Sequence, residues 1–268
     1  MNRIDGLFEK YRTDGRKALV MYVTAGDPSL DFTEQLIDRI IEAGADIVEI
    51  GVPFSDPMAD GPTIQAASER ALRGDVTLAG ILAMAKRLRA KHPDTPFVLF
   101  SYYNILMQYG IERLVADTAD AGIDGWLVVD MSNEEQDEIL PALGRHGLHR
   151  ITLLAPTTGR ERMQELLKEA QGFVYYITVT GVTGARTELP ADLADHLKKV
   201  AELSPIPVVA GFGVSTPEMA QAVGAHADGV VVGSKLVQTI ADAPSREAGL
   251  KDAETLVRGL AEALHHQP

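Results

Sequence analysis

The chain has no cysteine, one tryptophan and only 6% aromatic residues among its 268 positions. Without cysteine there is no disulfide framework, no thiolate nucleophile and no zinc or iron–sulfur site built on sulfur ligands. A reducing, cytoplasmic setting fits that composition. No run comes near the ~18 apolar residues that a membrane span needs. Residues 1–18 mix Arg, Asp, Glu and Lys and contain no apolar signal core. Positive charge is also scarce: 25 Lys and Arg stand against 38 Asp and Glu, a formal charge of −13. Nucleic-acid binding rests on clustered cations, so neither nucleic acid nor membrane is expected as a partner.

Several chemistries are missing as well. There is no G-x-x-x-x-G-K-[ST] phosphate loop and no G-x-S-x-G nucleophile turn. The seven histidines show no metal-ligand spacing, so no metal site is expected. No lysine falls within a strand-like run, which argues against a Schiff-base aldolase.

What the chain does have is alternation. Eight short, nearly continuous apolar runs occur at Ala18–Thr24, Ile47–Gly51, Phe97–Ser101, Trp126–Asp130, Ile151–Ala155, Phe173–Thr178, Pro207–Gly211 and Gly229–Gly233. Continuous rather than alternating hydrophobicity is the pattern of parallel strands covered on both faces. Amphipathic segments separate them: Phe32–Ala43, Leu78–Lys91, Ile111–Ala121, Glu134–His146, Arg160–Ala170, Leu193–Leu203, Thr216–Val223 and Lys235–Ala241, with Glu254–Leu264 last. Eight strand–helix units predict an α/β fold, a (β/α)8 TIM barrel formed as a single domain over residues 1–268. Three extra helices are expected: one at residues 3–11, one at Thr63–Arg73 after the second strand, and a short one near the eighth strand. A doubly wound sheet would need a first-turn G-x-G-x-x-G, which is absent.

Barrel active sites lie at the C-terminal ends of the strands. Glu49 is a lone carboxylate inside the apolar second strand, and Asp60 lies in the loop that follows. Burial raises a carboxyl pKa and suits it to proton transfer near neutral pH. Two carboxylates of unequal burial can divide the acid and base roles. The bland readings are a buried structural ion pair for Glu49 and a simple turn for Asp60. Tyrosines end the third strand (Tyr102) and occupy the sixth (Tyr175, Tyr176), each also compatible with plain packing. Glycine-bearing turns follow the last three strands: Gly181–Gly184, Gly211–Gly213 and Gly233-Ser234. Such turns let backbone N–H groups approach an anion, or merely close a tight connection. Ser215 and Ser234 stand where helices begin, as caps or as phosphate contacts. Metal-free proton transfer on a small phosphorylated molecule is the chemistry left.

The stretch Val48–Gln65, reading VEIGVPFSDPMADGPTIQ, closely resembles the signature of the tryptophan synthase alpha chain family. Further matches are Tyr22–Pro28, Tyr102–Asn104, Thr180–Gly184 and Gly211–Ser215, and length and order agree from about residue 4 to 262. The resemblance implies cleavage of indole-3-glycerol phosphate to indole and glyceraldehyde 3-phosphate in tryptophan biosynthesis, with no cofactor in this chain. It implies a beta-chain partner carrying pyridoxal phosphate in an αββα heterotetramer, with Pro53–Asp60 facing that partner. Glu49 then corresponds to the general acid/base, Asp60 to the carboxylate that accepts the indole N–H, and Tyr175 to a catalytic-site tyrosine. Tyr22, Phe100, Tyr102, Leu127 and Phe212 correspond to substrate-pocket residues, and Thr183, Gly184, Gly213, Gly233 and Ser234 to lid and phosphate contacts. Thr180–Pro190 resembles a mobile lid. The sequence departs from common members at Ser132, Ile105 and Ile177–Val179. The rival readings are a free-standing lyase that releases indole, a sugar-phosphate isomerase and a catalytically idle allosteric barrel. The strand ends Thr24–Gly26 and Ala155-Pro156 lack the acids that the isomerase wants, and Glu49 with Asp60 argues against the idle barrel.

Overall fold

A computed structural model describes residues 1–132, 135–177 and 192–265. Among these residues, nine strands form one all-parallel sheet: β1 (Ala18–Thr24), β2 (Ile47–Gly51), β3 (Phe97–Ser101), β4 (Gly125–Val128), β5 (His149–Arg150), β6 (Thr152–Leu154), β7 (Val174–Ile177), β8 (Val208–Gly211) and β9 (Gly229–Val232). The order is β5-β4-β3-β2-β1-β9-β8-β7-β6. β5 and β6 end the row, yet only Ile151 separates them in the chain. They are two halves of one bent strand. The first half pairs with β4, Ile151 N–H still donates to the Trp126 carbonyl at 2.8 Å, and the second half pairs with β7. The sheet thereby closes into an eight-position barrel. The expected fifth strand, Ile151–Ala155, starts two residues late because polar His149 and Arg150 hide its first half.

Alternate strand residues serve two cores. Val20, Ile47, Val98, Leu127, Ile151, Phe173, Val209 and Val231 meet inside the barrel. Leu19, Met21, Val48, Ile50, Leu99, Trp126, Val174 and Val230 face the helices. α1 (Arg3–Asp14) plugs the N-terminal end, with Ile4, Phe8 and Tyr11 joining the inner cluster. Phe8 stacks 5.9 Å from Phe173. The helix starts because the Asn2 side chain caps Ile4 N–H at 3.0 Å, and it stops at Gly15.

The outer helices are α2 (Leu30–Glu42), α3 (Pro62–Leu72), α4 (Leu78–Lys91), α5 (Tyr103–Tyr109), α6 (Ile111–Asp120), α7 (Leu140–Arg145), α8 (Arg160–Leu167), α9 (Leu193–Leu203), α10 (Pro217–Gly224), α11 (Ser234–Ala241) and α12 (Arg246–His265). The extra helices expected before the barrel, after β2 and near the eighth strand are α1, α3 and α11. Helix α5 was not expected: it is two turns long and lacks a side-chain cap. The single helix expected over Glu134–His146 is instead a 3-10 turn at Glu135–Glu138 followed by α7. Pro141 has no N–H to continue the earlier turn. Helix α12 begins eight residues before its expected start. Among the described residues, no helix is long and apolar enough to cross a membrane.

Candidate active site

The strand register builds the site. Tyr22 on β1 stands beside Glu49 on β2, and Glu49 beside Val98 on β3. One pair further along the strands, Thr24 stands beside Gly51, and Gly51 beside Phe100. Glu49 therefore points into the barrel, in register above Ile47 and below Gly51. It is fully buried, and neither carboxyl oxygen has a hydrogen-bond partner among the described residues. Burial alone pushes its carboxyl from an ordinary 4.5 up to about 8. The structural ion pair is thus excluded among the described residues. A buried carboxyl without partners is costly, and it is protonated at neutral pH.

Asp60 ends the β2–α3 loop, just before Pro62 opens α3. It is 6% exposed and is raised to about 6, burial outweighing the hydrogen bond that the Tyr102 hydroxyl donates to Oδ2 at 2.9 Å. The two carboxyls therefore differ in protonation at pH 7, one mostly neutral and one mostly charged. Tyr175 on β7 joins them. Burial first, then the charges of Glu49 and Asp60, hold its phenol well above the usual range. Tyr22 is raised by burial and by the same two carboxylates.

Glycine makes the room. A Cβ on Gly211 would lie 2.8 Å from the Tyr175 ring, and one on Gly51 would enter the Tyr22 ring. A Cβ on Gly233 would meet the Tyr22 Cβ at 3.1 Å. Tyr22 and Phe100 pack edge to face at 5.0 Å, with Ile64 and Ala67 of α3 and Val237 of α11 behind them. Leu127 lies in the inner cluster that Phe100 and Tyr175 cover.

Not every expected residue lands in this group. Phe212 is buried in the helix-side core, 6.2 Å from Tyr176. Tyr102 was expected against the substrate, but its hydroxyl is engaged with Asp60 and with Ala59 N–H. Gly213 has φ +65°, and Gly233 immediately precedes α11, whose first residue is Ser234. Ser234 makes no cap bond, and Thr216, rather than Ser215, caps α10. Thr183, Gly184 and the Thr180–Pro190 stretch lie outside the described residues. Two contributors escaped the sequence reading. Gly51 was seen only as part of a motif, and Arg70 of α3 grips Asp27 after β1 through two bonds of 2.8 and 2.7 Å. Only the Asp27-Pro28 motif hinted at the latter. No three His, Asp or Glu side chains cluster as metal ligands do among the described residues.

Fold and site together define a (β/α)8 barrel with two buried carboxyls of unequal pKa, Glu49 within β2 and Asp60 in the loop after it. The family model described as tryptophan synthase alpha chain matches residues 8–265. The alpha chain of Geobacter sulfurreducens is 49% identical over 264 residues, covering 98% of this chain and 99% of that one. That of a Thermoanaerobacter species is 42% identical, covering 98% and 100%. Among solved structures, tryptophan synthase subunit alpha from Legionella pneumophila superposes with a TM-score of 0.92 at 37% identity, covering 98% of each chain. A chain of Mycobacterium tuberculosis tryptophan synthase superposes at 0.91 and 34% identity, covering 99% of each. The chain belongs to the tryptophan synthase alpha chain family.

Proposed function

We propose that this chain acts as a carbon–carbon lyase that cleaves indole-3-glycerol phosphate to indole and glyceraldehyde 3-phosphate, as the alpha subunit of tryptophan synthase. The observation that carries this reading is Glu49: fully buried, without a hydrogen-bond partner, and raised to about 8. A neutral carboxyl at pH 7 can give a proton to carbon 3 of the indole ring. The ring then becomes an iminium-type cation, an electron sink for the bond to be broken. Asp60, ionised above about 6, accepts the indole N–H and offsets that positive charge. The Glu49 carboxylate next removes the proton of the glycerol hydroxyl beside the breaking bond. The C–C bond opens, its electrons restore the indole, and the hydroxyl carbon becomes the aldehyde. Glu49 ends protonated, as it began, so no cofactor is consumed in this chain.

Tyr22, Phe100 and Leu127 are proposed as walls for the indole, with Tyr175 beside Glu49, while Phe212 stays in the helix-side core. The backbone at Gly184, Gly213, Gly233 and Ser234 is proposed to hold the phosphate, with Thr183 on the lid. Short-range N–H groups must hold the phosphate, because the field of a chain with charge −13 opposes an anion. The whole chain is taken to work as one domain, in the cytoplasm. The partner is a beta chain that holds pyridoxal phosphate, in an αββα assembly. Loop 53–60 carries Met58, which is 89% exposed, and Leu72 on α3 and Met107 on α5 are exposed too. Exposed apolar side chains of that kind suit a protein interface. Turnover of indole-3-glycerol phosphate, measured with and without beta chain, tests the reading. No indole release under either condition overturns it. Fast turnover that a beta chain leaves unchanged favours a free-standing lyase.

A further inference from the structure

We infer that Tyr102 is a positioning residue: its phenol clamps the Asp60 carboxylate in place and keeps it ionised in the working pH range. The inference rests on the proposed lyase reaction only for its kinetic readout. Tyr102 is 3% exposed and stands directly after β3, at the start of α5. Both polarities of its hydroxyl are committed. Ala59 N–H donates to the phenol oxygen at 3.1 Å, so the phenol hydrogen is left to donate to Asp60 Oδ2 at 2.9 Å. Burial and the Asp60 charge push the phenol above its usual range, so it stays protonated and remains a donor. Its ring lies 5.0 Å from Phe54. One side chain thus ties the end of β3 to both ends of loop 54–60. A hydroxyl held in this way has no hydrogen left for substrate.

The other titratable groups that share these surroundings cannot replace it. Tyr22 on β1 and Tyr175 on β7 feel the Asp60 charge but do not bond to it, and Glu49 on β2 is itself without a hydrogen-bond partner. No lysine or arginine acts on Asp60 among the described residues. Among the described residues, the Tyr102 hydrogen bond is the one influence that favours its charged form against burial. A hydrogen bond to a charged acceptor is worth about one pH unit in such a balance.

The test is Tyr102→Phe, which keeps the ring and removes the hydroxyl. Asp60 is followed directly by carboxyl 13C NMR, with Asp60→Asn identifying the resonance. The Asp60 titration should move up by about one pH unit. With indole-3-glycerol phosphate, the acidic limb of kcat/KM should move with it. That gives about a fivefold loss at pH 6 and less than twofold at pH 8. Fluorotyrosine at 102, a stronger donor, should move both in the opposite direction. An unmoved Asp60 resonance overturns the proposal, as does a loss of kcat/KM equal at every pH, which is what a purely structural role gives. A shifted resonance in a chain that releases no indole supports the clamp and rejects the lyase reading instead.

Discussion

Replacing Glu49 with glutamine should change the pH dependence of folding as well as abolish turnover. The carboxyl titrates at 4.5 when solvated and at about 8 in the barrel. Between those values the unfolded chain has lost a proton that the folded chain keeps. Stability therefore falls as pH rises through this window, by about 1.4 kcal/mol per pH unit. The contribution is fully present below 4.5, down by about 3 kcal/mol at pH 7, and down by about 5 kcal/mol above pH 9. Glutamine has nearly the same shape and does not titrate. Its buried amide adds an offset of its own, but that offset does not vary with pH.

The assay is urea unfolding of the native chain and Glu49→Gln at steps from pH 5 to 9. Other groups titrate alike in both, so they cancel in the difference. Glu49→Gln should gain about 4 kcal/mol relative to the native chain between pH 5 and pH 9. Curves that stay parallel would refute the claim that Glu49 is desolvated and without a partner. Cleavage of indole-3-glycerol phosphate by Glu49→Gln should fall by about 10²-fold or more at every pH.

In the native chain, kcat/KM should be bell-shaped, rising through about 6 as Asp60 ionises and falling through about 8 as Glu49 loses its proton; a flat profile from pH 5.5 to 8.5 would count against that division. Gly211→Ala should cost about 1–3 kcal/mol in urea unfolding and lower kcat/KM, because the new Cβ displaces the Tyr175 ring. Phe8→Ala, at the opposite end of the barrel, should cost about 3–5 kcal/mol and leave KM unchanged, since Phe8 meets Phe173 and not the site. Gly213→Val adds a side chain at φ +65° and crowds the expected phosphate cradle; an unchanged KM for the substrate would reject that cradle.

Periodicity made the barrel legible because buried parallel strands carry their signal locally. Runs such as Ile47–Gly51 and Phe97–Ser101 match their strands end to end. The signal failed where polarity and structure part company. His149 and Arg150 begin a barrel strand although neither is apolar, and His149 there meets Asp5 of the N-terminal plug at 2.9 Å. Helix α5 escaped because seven residues hold less than two heptads of pattern and its start lacks a capping side chain. Glu49 stood out as one carboxylate in an apolar strand. Asp60 gained meaning only from its neighbour. The Tyr102 bond to Asp60 spans 42 positions, and no local pattern encodes a contact at that distance.

The difference between the two carboxyls follows from where the chain places them. Glu49 sits within β2, where the pleat aims it at the barrel axis and backbone amides are already engaged in the sheet. Among the described residues no donor reaches its oxygens, so it holds its proton. Asp60 sits beyond the strand, in a loop that reaches the end of β3, where Tyr102 supplies a donor. The same desolvation therefore yields a neutral acid in the strand and an anion in the loop. Moving either carboxylate by one residue would break the arrangement: position 48 faces the helices, and position 61 is the glycine at the N-cap of α3. The spacing between Glu49 and Asp60 is thus set by the strand's two-residue period and by the reach of one loop to one phenol.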